Sequence, residues 1–349
     1  MISAPELTRF AEAILVAARV PPEKARLVAT SLVAASLRGV DSHGVQLLSF
    51  YVEQLEAGDV NPLADGHVVS ENGPCLLYDG ENGLGAVISD TCCRHGVRLA
   101  REHGLSMVVA RESNHFGAAA YWAQRYSAAG LIGIVVCNAS SLVPPWQGKE
   151  PRFGTNPICM SVPGGAEGPW LLDMATTTVA MGKIYKAMLN GQETIPPGWA
   201  MDAEGLPTTS VQAALSGLLA PLGGYKGSGL AVMVEILCAV LGGGAMSTQL
   251  GGIRVRGRPM RASQMFLGID LARFLPLDEF TARMDWLIRA VKSTPPARGY
   301  DEVLVANDPE LRHQAERSRN GIPIEPGTWK ALTDAARRLG VPVPALALE

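Results

Sequence analysis

The chain has 349 residues, 47% of them hydrophobic and 18% charged, with a net charge of −3. That length buries a sizeable core, and that composition excludes a disordered chain. The charge excludes a strongly basic nucleic-acid binder, and the most apolar run, residues 230–241, is interrupted by Glu235 and shorter than the roughly 20 residues a membrane helix needs.

The N-terminus lacks the basic-then-apolar layout of a signal peptide, because Arg9 and Glu12 interrupt its apolar residues. Six cysteines, at 75, 92, 93, 137, 159 and 238, form no CxxC pair and stand mostly in apolar stretches. Free, buried thiols in a cytoplasmic protein are the expectation. The 38 glycines and 24 prolines point to many turns and to backbone brought close to a ligand.

Ser3-Ala4-Pro5-Glu6 has the form of a capping box, and apolar residues recur at helical spacing over 7–20. Pro21-Pro22 breaks that helix, and a second amphipathic helix runs over 22–39. A third, over 45–58, closes on Gly58. From Asn61 the texture changes to short apolar runs between Gly, Pro and Asn. Residues 67–73, 74–80, 106–112, 132–138, 158–164 and 170–175 read as strands. Helices are expected between and after them at 89–104, 118–130, 178–191, 227–243, 277–293 and 328–340. The organisation expected is a helical N-terminal segment (1–60), an α/β body binding cofactor and substrate (61–275) and a helical C-terminal segment (276–349).

One glycine loop imitates a dinucleotide fingerprint. Taking Gly83 and Gly85 as its first two glycines puts Ile88 where the third belongs, and a bulky residue there blocks close helix–strand packing. A tight turn is the reading preferred.

Asp41-Ser42-His43-Gly44 lies between the second and third helices. A histidine exchanges a proton near neutral pH, and Asp41 or Ser42 can orient it. The plainer reading is a cap on the third helix. Ser113-Asn114-His115-Phe116-Gly117 follows a strand and precedes a helix, the place where α/β proteins build sites. Its plainer reading is a capping pair beside a satisfied histidine. The histidines at 67, 95, 103 and 313 have neither setting and read as surface residues. No HExxH motif or carboxylate–histidine cluster points to a metal.

Phe153-Gly154-Thr155-Asn156-Pro157 comes next. It is followed by a strand ending in Asp173-Met174-Ala175 with hydroxyl residues and a helix carrying Gly182-Lys183. Such a helix start offers free N–H groups to phosphate, although Asp173 also reads as a plain N-cap. In Gly223-Gly224-Tyr225-Lys226-Gly227-Ser228-Gly229, glycines let backbone approach an anion that the lysine neutralises. A long apolar helix follows too closely for a mere linker, so cofactor or substrate binding is favoured.

Taken in order, RGVDSHGV, SNHFGAAAYWA, PRFGTNPI, LLDMATTTVAMGKI, IPPGWAMDAEGLPTT, PLGGYKGSGLAVMVEIL and RSRNGIPI resemble the type-2 malate/L-lactate dehydrogenase family over nearly the whole chain. The resemblance implies NAD or NADP bound on a largely antiparallel, non-Rossmann sheet. It also implies hydride transfer at C2 of a small 2-hydroxy, 2-keto or cyclic imino acid, in homodimers or dimers of dimers. It makes His43 and His115 the active-site histidines, with His115 taken as acid/base, and Ser42 a pocket residue together with Thr155 and Asn156. Asp173, Met174 and Ala175 match one cofactor-touching stretch, and Tyr225, Lys226 and Gly227 another. One departure stands out. The family's SHGVxR arginine grips the substrate carboxylate, and Leu47 stands in its place. Either another cation serves the carboxylate or the substrate is unusual. Leu47 also supports an alternative, a member without catalysis that acts as a ligand-binding or interaction protein. Retention of both histidines and of the lysine–glycine loop argues against it. Choice between NAD and NADP would turn on cations such as Arg312, Arg317 and Arg319.

Overall fold

The computed structural model describes residues 1–345, with Lys186 and Leu189 described by their backbone alone. Residues 346–349 of the C-terminal segment lie outside the described residues. Three helices open the chain: α1 (Ala4–Ala17), α2 (Pro22–Leu37) and α3 (Leu48–Ala57). Ser3 caps α1 by accepting from the Glu6 N–H, and Gly58 ends α3 with φ 74°. α3 begins later than its apolar pattern suggests, because residues 41–43 and 45–47 wind as two short 3₁₀ turns.

The six strands expected between 67 and 175 all form: β1 (His67–Asn72), β2 (Cys75–Asp79), β3 (Leu105–Ser113), β4 (Leu131–Cys137), β5 (Ile158–Val162) and β6 (Trp170–Met174). Helices α4 (Gly85–His103), α5 (Ala119–Ala128) and α6 (Met181–Leu189) stand where apolar spacing placed them, within a few residues. A small sheet of β7 (Ala200–Met201), β8 (Pro207–Thr208) and β9 (Leu218–Leu219) packs with α7 (Val211–Leu215). Then come α8 (Tyr225–Glu235), a π-helical turn at 236–240, and β10 (Ala262–Asp270). Three helices close the chain: α9 (Leu277–Lys292), α10 (Asp308–Asn320) and α11 (Pro326–Arg338).

The main sheet has seven strands in the order β1-β2-β3-β10-β4-β5-β6. β2 and β3 are parallel, joined by the α4 crossover, and the other five neighbouring pairs are antiparallel. β10, unrecognised in the sequence, lies between β3 and β4, with Phe266 opposite Val108 on one side and Val135 on the other. Gly133 and Gly268 make room for α5, since a Cβ on either would stand 2.6 Å and 2.8 Å from Tyr126.

One apolar core runs through all three segments, from Leu7 and Ile14 through Ile88, Trp122 and Phe266 to Ile322 and Leu332. Ile2 pairs with Ile322, so the two terminal segments meet. Among the described residues no helix is long and apolar enough to cross a membrane. All six cysteines are free; five are buried, whereas Cys75 is exposed.

Candidate active site

The Gly83–Gly85 loop is a tight turn. The Gly83 N–H donates to the Gly80 carbonyl at 2.7 Å, and Ile88 is fully buried. Its glycines serve packing: a Cβ on Gly85 would lie 2.2 Å from the Asn114 carbonyl oxygen and 2.4 Å from that of His115. The Asn114 amide donates to the Asn82 and Gly83 carbonyls at 3.0 and 2.8 Å, and Gln264 of β10 donates to the Asn114 carbonyl at 3.0 Å. The loop therefore holds the end of β3, and with it His115.

The 41–44 turn is pressed onto α2. Gly44 permits this, because a Cβ there would lie 2.1 Å from Ser36 Oγ, which accepts the Val45 N–H at 3.1 Å. Neither Asp41 nor Ser42 caps α3. Asp41 takes a two-pronged ion pair from Arg317, at 2.6 and 3.0 Å, and Ser42 Oγ lies 2.9 Å from His43 Nδ1. Of the two orienting candidates, Ser42 is the one in contact.

His43 and His115, 72 positions apart in the numbering, come together as a stacked pair with ring centroids 5.9 Å apart and an interplanar angle of 24°. His115 Nδ1 accepts the Gly117 N–H at 3.2 Å and lies 2.8 Å from the Tyr51 hydroxyl. A backbone N–H only donates, so the neutral ring carries its proton on Nε2. Burial pushes the His115 pKa down to about 3, helped by His43 and by the cationic Arg254. Burial also lowers that of His43 and raises that of the Tyr51 phenol. The pair is neutral at physiological pH.

Asp173 ends β6 and does not cap α6. Its carboxylate accepts the Ala120 N–H at 2.9 Å, which ties it to α5, five residues beyond His115. The carboxyl reaches solvent, yet the protein packed around it pushes its pKa up to about 6, against the Ala120 N–H and the Arg38 guanidinium. Arg38 is buried and donates to Asn307 at 2.6 Å, while its Nε and Nη1 have no partner among the described residues.

The two expected cofactor stretches lie side by side. The Leu222 N–H donates to the Thr176 carbonyl at 2.9 Å. Gly227 makes this possible, since a Cβ there would lie 2.3 Å from Leu222 N and 2.6 Å from the Thr176 oxygen. α8 opens at Gly224 (φ 67°) without a side-chain cap, and Tyr225 and Lys226 are exposed on its first turn. An uncapped helix start and an exposed ammonium beside it fit a dinucleotide's diphosphate. Met174 and Ala175 are half-buried beside it.

Thr155 is half-buried, and its carbonyl accepts both the N–H and the hydroxyl of Thr176. Asn156 is fully buried: its amide donates to the Ala231 carbonyl and to Glu235, and accepts the Ala139 N–H. It braces the turn against α8. Leu47 is buried in the main core, where it offers an anion nothing. His67, His103 and His313 are exposed and His95 is half-exposed. Arg317 is engaged with Asp41, and Arg312 with Glu302. Tyr51, Gln264, Arg38 and Glu235 support the site without any signal in the linear sequence, because their partners lie far along the chain.

A family model described as malate/L-lactate dehydrogenase matches residues 2–333. The chain is 36% identical over 343 residues to a malate dehydrogenase of Pyrococcus horikoshii, covering 96% of this chain and 94% of that protein. A solved structure of malate dehydrogenase from that organism matches with a TM-score of 0.90, 35% identity and coverage of 98% and 96%. An L-sulfolactate dehydrogenase of Methanocaldococcus jannaschii is 34% identical, over 92% of each chain. The crystal structure of delta1-piperideine-2-carboxylate reductase from Pseudomonas syringae matches with a TM-score of 0.86 at 28% identity, covering 96% of this chain and 99% of that one.

Proposed function

The chain belongs to the malate/L-lactate dehydrogenase family and is a dehydrogenase or reductase acting on CH–OH or C=N groups, and from that premise we propose how its residues divide the work. The reaction is hydride transfer between NAD(P) and C2 of a small 2-hydroxy, 2-keto or cyclic imino acid. When bound, the nicotinamide supplies or takes the hydride. His115 is the acid/base. With Nδ1 held by the Gly117 N–H and Tyr51, its Nε2 faces the substrate. In reduction the ring, loaded with a second proton, gives the Nε2 proton to the C2 oxygen or nitrogen and is left neutral, and oxidation runs the same transfer in reverse. His43, held by Ser42, orients the substrate against it. Thr155, braced by Asn156, borders the pocket. Asp173, Met174 and Ala175 on one side, and Tyr225, Lys226 and Gly227 on the other, bind the cofactor.

The observation that carries this reading is the stacked histidine pair with one nitrogen locked by backbone. Purified protein with NADH or NADPH and a panel of 2-keto and cyclic imino acids tests it, through loss of nicotinamide absorbance. Turnover on any member supports the reading and reveals the preferred cofactor. Absence of both turnover and cofactor binding overturns it.

The assembly proposed is a homodimer or a dimer of dimers. Val232, Met233, Ile236, Val240 and Leu241 form an exposed apolar stripe along α8 and its π turn, 37–58% accessible in the single chain. The compartment proposed is the cytoplasm, which keeps its free thiols reduced.

A further inference from the structure

Four arginines crowd residues 254–261, between the π turn and β10, and three of them have protein acceptors. Arg256 is paired with Glu53, Arg258 donates to the Thr248 carbonyl at 2.7 Å, and Arg261 grips Glu112 at 2.7 and 2.9 Å. Arg254 has no carboxylate or carbonyl partner among the described residues.

Its position is nevertheless defined. The Gln54 amide donates to the Gly252 carbonyl at 3.2 Å, and the Gly257 N–H donates to Asp59 at 2.8 Å. Both bonds lash the loop to α3 and the residues after it, one on each side of Arg254. The guanidinium carbon stands 5.1 Å from the Phe50 ring centroid and 5.4 Å from that of Tyr185. Phe50 adjoins Tyr51, which holds His115. Tyr185 is one turn along α6 from Gly182, where a Cβ would lie 3.9 Å from that of Ser42. Arg254 thus bridges the two helices that border the histidine pair, and its charge reaches His115.

We propose that Arg254 is the anchor of the substrate carboxylate. This rests on the reading of the site as a 2-keto or 2-hydroxy acid oxidoreductase and completes it, because Leu47 supplies no cation. A guanidinium matches a carboxylate with two parallel N–H bonds, and aromatic faces hold its plane without consuming its donors. The bound carboxylate neutralises Arg254 and thereby relieves the field that disfavours a proton on His115.

The test is calorimetric binding of oxalate, an unreactive dicarboxylate, to the cofactor-loaded enzyme, together with steady-state kinetics on the best 2-keto acid. Arg254→Gln is expected to weaken oxalate and raise KM by on the order of 100-fold, with a smaller change in kcat. Arg254→Lys, a point charge without the fork, should recover part of both. Arg258→Gln should leave both within about twofold, because its partner is a carbonyl of its own loop. An Arg254→Gln enzyme that binds oxalate like the wild type overturns the anchor while leaving the oxidoreductase reading intact. A wild type that neither binds oxalate nor reduces any keto acid overturns both.

Discussion

At the scale of single residues, the proposed chemistry depends on which nitrogen of His115 is free. Gly117 and Tyr51 occupy Nδ1. Replacing His115 by Ala should therefore lower kcat by roughly 10²–10⁴-fold while cofactor affinity, measured by nicotinamide fluorescence, changes by less than about twofold. If cofactor binding collapses instead, the role assigned is wrong. Tyr51→Phe removes one hydrogen bond, a loss of about 1 kcal/mol, and should lower kcat roughly tenfold at most, with cofactor binding unchanged. His43 and His115 stood out as candidates because each sits at a break between elements, where a polar group needs a reason, and Asp173 because it stands next to the end of a strand. Tyr51 was not: it reads as one more aromatic on an amphipathic helix, and its partner is 64 residues away. Gln264, 150 residues from Asn114, was hidden in the same way. Asn156 carried a pocket signal, yet its amide is taken up by protein groups on every side.

At the scale of elements, the proposed cofactor site is a packing problem between β6 and α8. Gly227 sits against backbone on both sides, and a methyl there must push α8 away from Thr176. Gly227→Ala should weaken cofactor binding by at least about tenfold and lower the unfolding midpoint, since overpacking costs roughly 1–3 kcal/mol. Unchanged affinity in a folded variant would move the cofactor site elsewhere. Glu235, on the same helix, gathers the Asn138 and Asn156 amides and the Ser247 N–H inside the fold. In the sequence it reads only as an interruption of an apolar run. β10 escaped recognition for a related reason. A strand buried at the centre of a sheet is expected to be apolar, yet Ser263 and Gln264 are fully buried in it. The Gln264 amide donates to the Asn114 carbonyl, a partner that exists only after folding, whereas the Ser263 hydroxyl and the Gln264 amide oxygen have no partner among the described residues.

At the scale of the whole molecule, the neutral, half-buried histidines make stability depend on pH. In the unfolded chain a histidine takes up a proton near pH 6.5, whereas folded His115 resists it until about pH 3. The unfolded state therefore binds the extra proton in that window, and stability falls as the pH is lowered through it. His115→Gln should flatten the fall in unfolding midpoint between pH 6.5 and 4, measured by thermal denaturation. An equally steep fall in the variant would assign the acid sensitivity to other groups. Insertion of β10 is the other global decision. β3, α5 and β4 would make a second parallel crossover unit beside β2, α4 and β3, but β10 pairs antiparallel with both of its neighbours. Local patterns around β3 and β4 look much the same in either arrangement.

The sequence by itself determined every helix except α7 and α10, six of the seven main strands, the rejection of the Gly83–Gly85 loop as a phosphate cradle and the ordered motifs that name the family. Those features are local: periodicity, caps and glycine spacing act over a few residues. The tertiary structure alone decided that Ser42 and not Asp41 holds His43, that Leu47 points into the core, and that Arg254 stands unpaired over Phe50 and Tyr185. Each is a contact between residues far apart or a choice among equivalent neighbours, and packing of the completed sheet against its helices sets it.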